Sequence, residues 1–253
     1  MNSINGFHQA TVARRTDWSD GLYSLTLSGA PLDFLAGQFT KLALADEEGK
    51  PISRAYSLVN APDRDGKLEF LIVNTPEGKL TSKLFDLQPG DQLYVGSTAH
   101  GDLIWDSVPD QCQDLWLLST GTGIGPFLSL IEQAQQEPLT RNIILVHGVR
   151  HESDLAYREQ VNQWLQSHAG QLHYIPVISR EARPGILQGH IPKLIETGQL
   201  TRHAGIELSP ERSFVMLCGN PAMIKDTLQV LQQFGLEKFR RATGGHILHE
   251  RYW

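Results

Sequence analysis

A glycine-rich segment near the middle of the chain restricts the fold more than any other feature. Residues 121–126 read Gly-Thr-Gly-Ile-Gly-Pro, follow the apolar run 115–118 and precede apolar residues at helical spacing. A strand that turns into a helix through bare backbone leaves N–H groups open to a phosphate. Pro126 stands where the standard dinucleotide fingerprint has its final glycine, and proline suits the first turn of a helix. The segment therefore predicts a dinucleotide-binding strand–turn–helix.

The sequence from residue 115 onward alternates between apolar strands and amphipathic helices. The predicted strands cover residues 115–119, 143–149, 172–178, 214–217 and 245–250. The predicted helices cover residues 127–136, 155–167, 191–197 and 222–234. Continuous apolar strands are typical of a parallel sheet that helices cover on both faces. Such sheets bind their ligands beyond the carboxyl ends of the strands.

The first hundred residues have a different sequence pattern, with short predicted strands separated by turn residues. The predicted strands cover residues 6–16, 22–27, 38–44, 54–59, 68–73 and 92–95, and one helical stretch covers residues 80–87. Six short strands at this spacing favour a small closed antiparallel barrel. Residues 105–113 fit neither pattern. We therefore predict two domains, a β-barrel at residues 1–105 and a parallel α/β domain at residues 106–253.

Composition excludes several classes of function. A formal net charge of −6 argues against general nucleic-acid binding. The two cysteines, Cys112 and Cys218, lie far apart, so neither a cysteine metal site nor an iron–sulfur cluster is expected. No apolar run has the length of a membrane span, and the N-terminus lacks a signal peptide. We expect a cytoplasmic protein without membrane insertion, and nothing in the sequence requires more than a monomer.

Two segments of the first half carry groups suited to a phosphorylated, flat ligand. In a strand, Arg54 and Tyr56 share one face, where a guanidinium can bind a pyrophosphate and a ring can stack. A strand with an exposed arginine is the simpler interpretation of those residues taken alone. Gly78 begins a predicted helix whose N–H groups, with the hydroxyls of Thr81 and Ser82, form an anion site, although plain N-capping is the alternative. Together the two segments would bracket two phosphates.

Basic residues follow two strands of the second half. Arg150 comes directly after one predicted strand, Ser179 and Arg180 come after the next, and Arg183 is close behind. An NAD site would usually present an acidic residue there for the ribose 2′-hydroxyl. Each arginine alone could be a solvated surface residue. Arginines at successive strand ends favour a 2′-phosphate, so NADP(H) is predicted rather than NAD(H).

Taken together, these motifs resemble those of the ferredoxin/flavodoxin–NADP reductase family, in its bacterial branch that ends in an aromatic residue. The motifs are Arg-Ala-Tyr-Ser at 54–57, Gly-Lys-Leu-Thr at 78–81, the segment 121–126, Cys-Gly-Asn-Pro at 218–221 and the terminal Tyr-Trp. They occur in the family's order and span nearly the whole chain. The resemblance implies that FAD and NADP(H) are the cofactors.

The resemblance also implies which residues contact the cofactors. The expected FAD-binding residues are Arg54, Ala55, Tyr56, Ser57, Leu71, Ile72, Val73, Asn74, Lys79, Leu80, Thr81, Thr122, Tyr252 and Trp253. The expected NADP-binding residues are Gly121, Thr122, Gly123, Arg150, Ser179, Arg180, Arg183, His190, Gly219, Asn220 and Pro221. The family more often has arginine at the position of His190, which weakens the expected preference for NADP unless Arg183 substitutes. The C-terminal tail is expected to return to the FAD.

The expected catalytic residues are Ser57, Cys218 and Glu250. A small residue followed by glycine at a strand end lets a nicotinamide approach closely, although a buried structural cysteine is the common alternative. By the resemblance, Cys218 lies beside the nicotinamide, while Ser57 and Glu250 lie near flavin N5 and relay its proton. Neither Cys218 nor Glu250 acts as a nucleophile.

The predicted function is electron transfer between NADPH and a small one-electron carrier, ferredoxin or flavodoxin. Hydride passes to flavin N5, and single electrons then pass to the carrier. Docking of these acidic carriers would need a local basic patch on an acidic chain. The alternatives are a flavin reductase or an oxygenase reductase component and, from another class, a non-enzymatic nucleotide-binding sensor.

Overall fold

The structure is a computed structural model that describes residues 4–46, 48, 50–62, 65–75, 77–135, 139–168 and 170–251. The chain forms two units. The first contains the residues up to Ile104 together with Gly125–Gln133, and the second contains Trp105–Ile124 and the residues from Ala134 onward. No helix in the described residues combines the length and the hydropathy that a bilayer-spanning segment needs.

The first unit is built on an antiparallel sheet of six strands. These are β1 (Phe7–Ser19), β2 (Leu22–Ser28), β3 (Phe39–Ala45), β4 (Pro51–Ser57), β5 (Leu68–Val73) and β6 (Gln92–Gly96). Their order across the sheet is β4-β3-β6-β1-β2-β5. An antiparallel bridge between Leu58 and Phe70, and a 2.9 Å hydrogen bond from Val59 N–H to the Glu69 carbonyl, join the two outer strands. The sheet therefore closes into the predicted barrel.

Alternating apolar side chains of these strands fill the barrel interior. Tyr23, Leu25, Leu42, Phe70 and Ile72 are among its fully buried residues. Alternation places one set of side chains inside a closed sheet, which is why short strands with period-two patterns could be predicted as a barrel.

One short helix, α1 (Thr81–Phe85), lies between β5 and β6. It is shorter than the predicted helical stretch, residues 80–87. The mostly buried Arg15 side chain donates hydrogen bonds to the carbonyls of Phe85 and Leu87, and its guanidinium lies 4.5 Å from the centre of the Tyr23 ring. The long β1 strand thus satisfies carbonyl groups at the end of a helix too short to be stable alone.

The second unit contains a parallel sheet of six strands. The strands are β7 (Asp114–Thr120), β8 (Asn142–Val149), β9 (Leu172–Ile178), β10 (Leu187–Gln188), β11 (Ser213–Gly219) and β12 (Ile247–Arg251), in the order β10-β9-β8-β7-β11-β12. The helices of this half are α2 (Gly125–Ala134), α3 (Arg158–Ser167), α4 (Ile191–Glu196), α5 (Gln199–Ala204) and α6 (Pro221–Gln233). The structure thus has the predicted fold class.

Both faces of the parallel sheet are covered. Residues of α4, α5 and α6 pack with one face, which includes Trp116, Val146 and Leu217. Side chains of the opposite face, such as Leu117 and Leu145, are fully buried as well. This double coverage explains the continuous apolar strands of the sequence.

Strand β10 and helix α5 of the second unit were not predicted. Strand β10 has two residues and therefore no periodicity to detect. Helix α5 has six residues and is bounded by Gly198 and Gly205, both in the left-handed conformation. A prediction that requires sustained periodicity misses elements of this length.

Helix α2 groups with the barrel although its sequence lies within the second half. The buried Ser129 hydroxyl donates a 2.7 Å hydrogen bond to the Asn60 carbonyl. The Glu132 carboxylate accepts a 2.6 Å hydrogen bond from Ala61 N–H. Asn60 is itself buried, and its amide oxygen accepts a hydrogen bond from Glu69 N–H, so the contact continues into the barrel. The predicted division between residues 105 and 106 stays a prediction.

Candidate functional site

The carboxyl ends of the parallel strands collect most of the predicted nucleotide-binding residues. From β7 the sheet extends through β8 and β9 on one side, and the chain then returns across β7 to β11 on the other. The strand order thus reverses between β7 and β11, which is where open α/β sheets form their ligand crevice. Residues 121–126 follow β7, and residues 220 and 221 follow β11.

The segments that follow β7 and β11 pack backbone against backbone. Residues Gly121–Ile124 form a 3₁₀ turn, and α2 begins at Gly125 rather than at Pro126. A Cβ atom added to Gly123 would lie 2.6 Å from the Cys218 carbonyl oxygen. A Cβ added to Gly219, which has φ +129°, would lie 2.8 Å from the Thr120 carbonyl oxygen. Gly123 and Gly219 are therefore required by contact between the two segments, a reason the sequence alone did not reveal.

Polar bonds fix the same two segments. Asn220 N–H donates a 2.9 Å hydrogen bond to the Thr120 hydroxyl. The Asn220 side chain accepts hydrogen bonds from Ala222 N–H at 2.8 Å and Met223 N–H at 3.4 Å, so it caps α6, and Pro221 is the first residue of that helix. Asparagine at the cap and proline directly after it are a strong helix start.

A buried histidine lies beneath the 3₁₀ turn. His147 on β8 is 1% exposed, and its Nε2 atom lies 3.1 Å from the Gly121 carbonyl oxygen. Burial lowers the pKa of His147 to about 4, against the raising effects of the Gly121 carbonyl and Asp154. The imidazole is therefore neutral at physiological pH. His147 was not among the residues predicted from the sequence.

Two of the predicted catalytic residues are neighbours on adjacent strands. Cys218 on β11 pairs in register with Glu250 on β12 and, on its other side, with Ser119 on β7. Cys218 is fully buried, and Glu250 is partly exposed. The structure thus places a thiol and a carboxyl group together at the carboxyl end of the sheet.

The predicted 2′-phosphate residues lie at the ends of β8 and β9. Arg180 N–H donates a 3.0 Å hydrogen bond to the Arg150 carbonyl, and Ser179 N–H donates one of the same length to the Val149 carbonyl. The side chains of Arg150 and Arg180 are exposed. Neither forms an ion pair with another residue in the described part of the chain. Two uncompensated arginines at adjacent strand ends, with their backbones hydrogen-bonded, fit a dianionic phosphate.

Arg183 and His190 are placed differently. Arg183 forms ion pairs with Glu152 at 3.0 Å and Glu181 at 2.9 Å, so two carboxylates compensate its charge. His190 is exposed and directly precedes α4. The family more often has arginine at the position of His190. For Arg183 to take over that contact, at least one of its two ion pairs would have to break.

The Arg-Ala-Tyr-Ser motif forms the end of β4. Arg54 is exposed and donates a 2.8 Å hydrogen bond to the neighbouring Ser53 carbonyl. Tyr56 packs partly against the barrel core, and burial raises its pKa to about 12, with Arg54 opposing the shift. Ser57 is buried, and a Cβ on Gly125 would lie 3.6 Å from its own Cβ. The motif therefore offers one exposed cation beside a neutral phenol.

The other predicted flavin-binding residues lie along β5 and before α1. Ile72 points into the barrel core and Leu80 is buried, so either could contact a flavin only through its backbone. Val73 is 40% exposed, Lys79 is exposed, and Leu71 is buried. The Asn74 Oδ1 atom is buried and has no hydrogen-bond partner in the described residues. An exposed cation together with an unsatisfied buried acceptor fits a phosphorylated ligand with donor groups, as FAD has.

The predicted anion site before α1 has a denser internal structure than expected. The Thr81 hydroxyl lies 2.6 Å from the Thr75 hydroxyl, and the Ser82 hydroxyl donates a 2.8 Å hydrogen bond to the Gly78 carbonyl. Neither side chain caps the helix, since the residue at the cap position is Leu80. Tyr252 and Trp253, the predicted aromatic tail, lie outside the described residues.

Comparison with known proteins decides the family. The oxidoreductase FAD-binding domain matches residues 12–102, and the oxidoreductase NAD-binding domain matches residues 117–229. Flavodoxin/ferredoxin–NADP reductases from Shigella flexneri and Escherichia coli (strain K12) are each 43% identical over 243 residues, 96% of this chain and 97% of the relative. The chain belongs to the flavodoxin/ferredoxin–NADP reductase family.

A solved structure supports the same family assignment. A ferredoxin NADP+ reductase from Neisseria gonorrhoeae, crystallised with bound FAD and NADP, matches with a TM-score of 0.90 and 30% identity over 99% of this chain and 100% of that chain. The predictions of an FAD-dependent oxidoreductase with FAD and NADP(H) as cofactors are confirmed. The roles of individual site residues stay predictions.

Proposed function

We propose that this reductase transfers electrons between NADPH and ferredoxin or flavodoxin, and that it acts as a monomer. The observation that carries the NADPH side is the convergence at one sheet edge of the 3₁₀ turn, the Cys218–Gly219 segment and the exposed pair Arg150 and Arg180. Ferredoxin and flavodoxin are proposed as the carriers because the names of the related reductases include them.

Bound FAD would supply the exchange between two-electron and one-electron chemistry, and the chain would supply binding, orientation and proton contacts. Arg54 would hold the pyrophosphate of FAD, with Lys79 adding positive charge. The bare backbone at Gly123 and Gly219 would admit the nicotinamide end of NADPH. Ser57 Oγ and the Glu250 carboxyl group would hydrogen-bond near flavin N5 and hold its proton.

An absorption spectrum of the purified full-length chain, recorded before and after anaerobic addition of NADPH, tests the function. A flavin spectrum that bleaches with NADPH, followed by reoxidation on addition of ferredoxin or flavodoxin, is the expected result. A colourless protein that reduces only added free flavin would instead indicate a flavin reductase. Bound nucleotide without any bleaching would indicate a sensor.

The preference for NADPH is tested by removing the two exposed arginines. The double variant Arg150→Ala, Arg180→Ala should raise KM for NADPH by about a hundredfold, because each charge-assisted contact to phosphate contributes about 1.5–3 kcal/mol. KM for NADH should change less than threefold, since NADH lacks the 2′-phosphate. The variant Arg183→Ala serves as the matched control, because carboxylates already compensate that charge. Equal effects on both nucleotides would contradict the assignment.

The proposed acidic carrier requires exposed positive charge. Seven cations are exposed and are candidates for docking: Arg14, Lys41, Lys79, Lys83, Lys238, Arg240 and Arg241. Arg15 is mostly buried and bonded to Asp17 and the end of α1, so it is not available for docking. Carrier-mediated cytochrome reduction should weaken as salt rises, whereas ferricyanide reduction should change less. Parallel salt curves would argue against electrostatic docking.

A further inference from the structure

We propose that His147 is a positioning residue of the NADP(H) site, whose Nε2–H group fixes the orientation of the Gly121–Thr122 peptide. The inference rests on the proposed function, because it assumes that the 3₁₀ turn binds the dinucleotide. It concerns a residue that contacts the turn rather than the ligand.

The hydrogen bond determines which nitrogen of His147 carries the proton. A carbonyl oxygen only accepts, so the 3.1 Å contact with Gly121 requires the proton on Nε2. The Nδ1 atom is buried and has no hydrogen-bond partner in the described residues. Protonation of Nδ1 would place an uncompensated charge among fully buried side chains, including Leu145 and Val146. The ring is therefore a fixed neutral donor.

The turn needs such an anchor because Gly121 has no side chain to restrain it. Gly121 has φ +55°, and nothing lies within 4 Å of the position where a Cβ would be. Glycine can adopt either hand of this conformation at little cost, so the restraints on the peptide that follows are the 3₁₀ turn itself and the contact with His147. The contact with His147 supports one orientation from the buried side of the turn.

The orientation of this peptide matters for an anionic ligand. In a trans peptide the C=O and N–H groups point in opposite directions. With the Gly121 carbonyl directed toward His147, the N–H group of Thr122 points away from His147. A rotated peptide would present the carbonyl oxygen on that side instead, and its partial negative charge would repel a pyrophosphate.

Packing alone does not explain why position 147 has a histidine. Its neighbours on β8, from Ile143 to Val149, are all buried. Burying a polar ring is unfavourable unless it forms a hydrogen bond, and an aliphatic side chain would fill the position without that cost. Within the described residues, the hydrogen bond that the His147 side chain makes is to the first residue of the dinucleotide turn.

The test measures binding of two ligands to the FAD-loaded full-length chain by calorimetry. NADP+ would span the turn, whereas adenosine 2′,5′-bisphosphate would occupy only the end near Arg150 and Arg180. The variant His147→Leu should weaken NADP+ about tenfold and leave the bisphosphate within twofold. His147→Gln, which can place an N–H donor near the position of Nε2, should bind NADP+ within about threefold of the wild type.

His173→Leu is the matched control, because His173 lies on the neighbouring strand β9 and its Nε2 atom has no hydrogen-bond partner in the described residues. It should bind both ligands as the wild type does. Unchanged NADP+ affinity in His147→Leu, or an equal loss for both ligands, would overturn the proposal. A glutamine variant as weak as the leucine variant would also overturn it.

A second measurement does not depend on the variants folding. Long-range ¹H–¹⁵N spectra of the wild type without nucleotide should show His147 protonated on Nε2 and bare on Nδ1, and the opposite tautomer would overturn the proposal. Wild-type protein that binds neither NADP+ nor the bisphosphate would contradict the proposed function instead, so the two failures can be distinguished.

Discussion

The edge of the parallel sheet and the end of β4 in the barrel present their predicted ligand groups in opposite ways. At the sheet edge, Gly219 and Thr120 are in direct backbone contact and His147 is buried beneath the turn. On the barrel, Arg54 is exposed and bonds only to its neighbour in the contacts described above. The first site is shaped by the packing of the fold, whereas the second is a set of side chains added to a finished fold. Substitutions in the packed segments of the first site should therefore reduce stability, whereas substitution of Arg54 should reduce ligand affinity.

The largest effect is expected for Gly219→Ala. A Cβ there would lie 2.8 Å from the Thr120 carbonyl oxygen at φ +129°, so the change combines overlap with backbone strain. The free energy of unfolding should fall by about 3 kcal/mol or more, measured by urea denaturation. Gly205→Ala is the control, since its φ is +67° but nothing lies within 4 Å of the added Cβ, and it should cost about 1 kcal/mol. Equal losses of stability in Gly219→Ala and Gly205→Ala would mean that the overlap with Thr120 adds nothing to the backbone strain.

The second effect concerns the dependence of stability on pH. The pKa of His147 is lowered from 6.5 to about 4 in the folded state, mainly by burial. The unfolded chain therefore binds a proton between these values while the folded chain does not. The stability from His147 is complete above pH 6.5 and is lost as pH falls toward 4, by about 3 kcal/mol. Urea denaturation between pH 4 and 7 should show a flatter profile for His147→Gln than for the wild type. Superimposable profiles would contradict the buried neutral imidazole.

The smallest effect on stability is expected on the barrel. Arg54→Ala should weaken FAD binding by about tenfold to a hundredfold, because a charge-assisted contact to pyrophosphate is lost. The free energy of unfolding of the FAD-free protein should change by less than about 0.5 kcal/mol, as for other exposed side chains. FAD release measured by flavin fluorescence, together with urea denaturation, separates the two quantities. Lys41→Ala, which removes an exposed cation from β3 of the same barrel, should change neither. A large loss of stability in Arg54→Ala would contradict the view that Arg54 serves ligand binding and not the stability of the barrel.

The sequence predicted those parts of the molecule that depend on periodicity and strand order. Alternating residues such as Leu25 and Phe70 indicated the barrel, and continuous apolar strands indicated the covered sheet. Because parallel strands end at one edge, Arg150 and Arg180 could be expected close together from the sequence alone, and their backbones are hydrogen-bonded.

Other features depend on contacts that no linear pattern encodes. His147 meets a carbonyl 26 residues away, and its strand offers no sign that it differs from a core histidine. The pairing of Arg183 with Glu152 depends on how two loops approach each other, so its charge could not be discounted in advance. The association of α2 with the barrel depends on Ser129 and Asn60, which are 69 residues apart.

The position of α2 has a consequence for any attempt to divide the protein. The chain leaves the second unit after Ile124, contributes one helix to the barrel unit and then returns. Three covalent crossings, after Ile104, Ile124 and Gln133, therefore connect the two units, rather than a single linker. A fragment that starts at residue 106 would carry Ser129 and Glu132 without the Asn60 and Ala61 groups that they bond. Chimeras that exchange the two halves between related reductases should fold only when α2 comes from the same protein as the barrel.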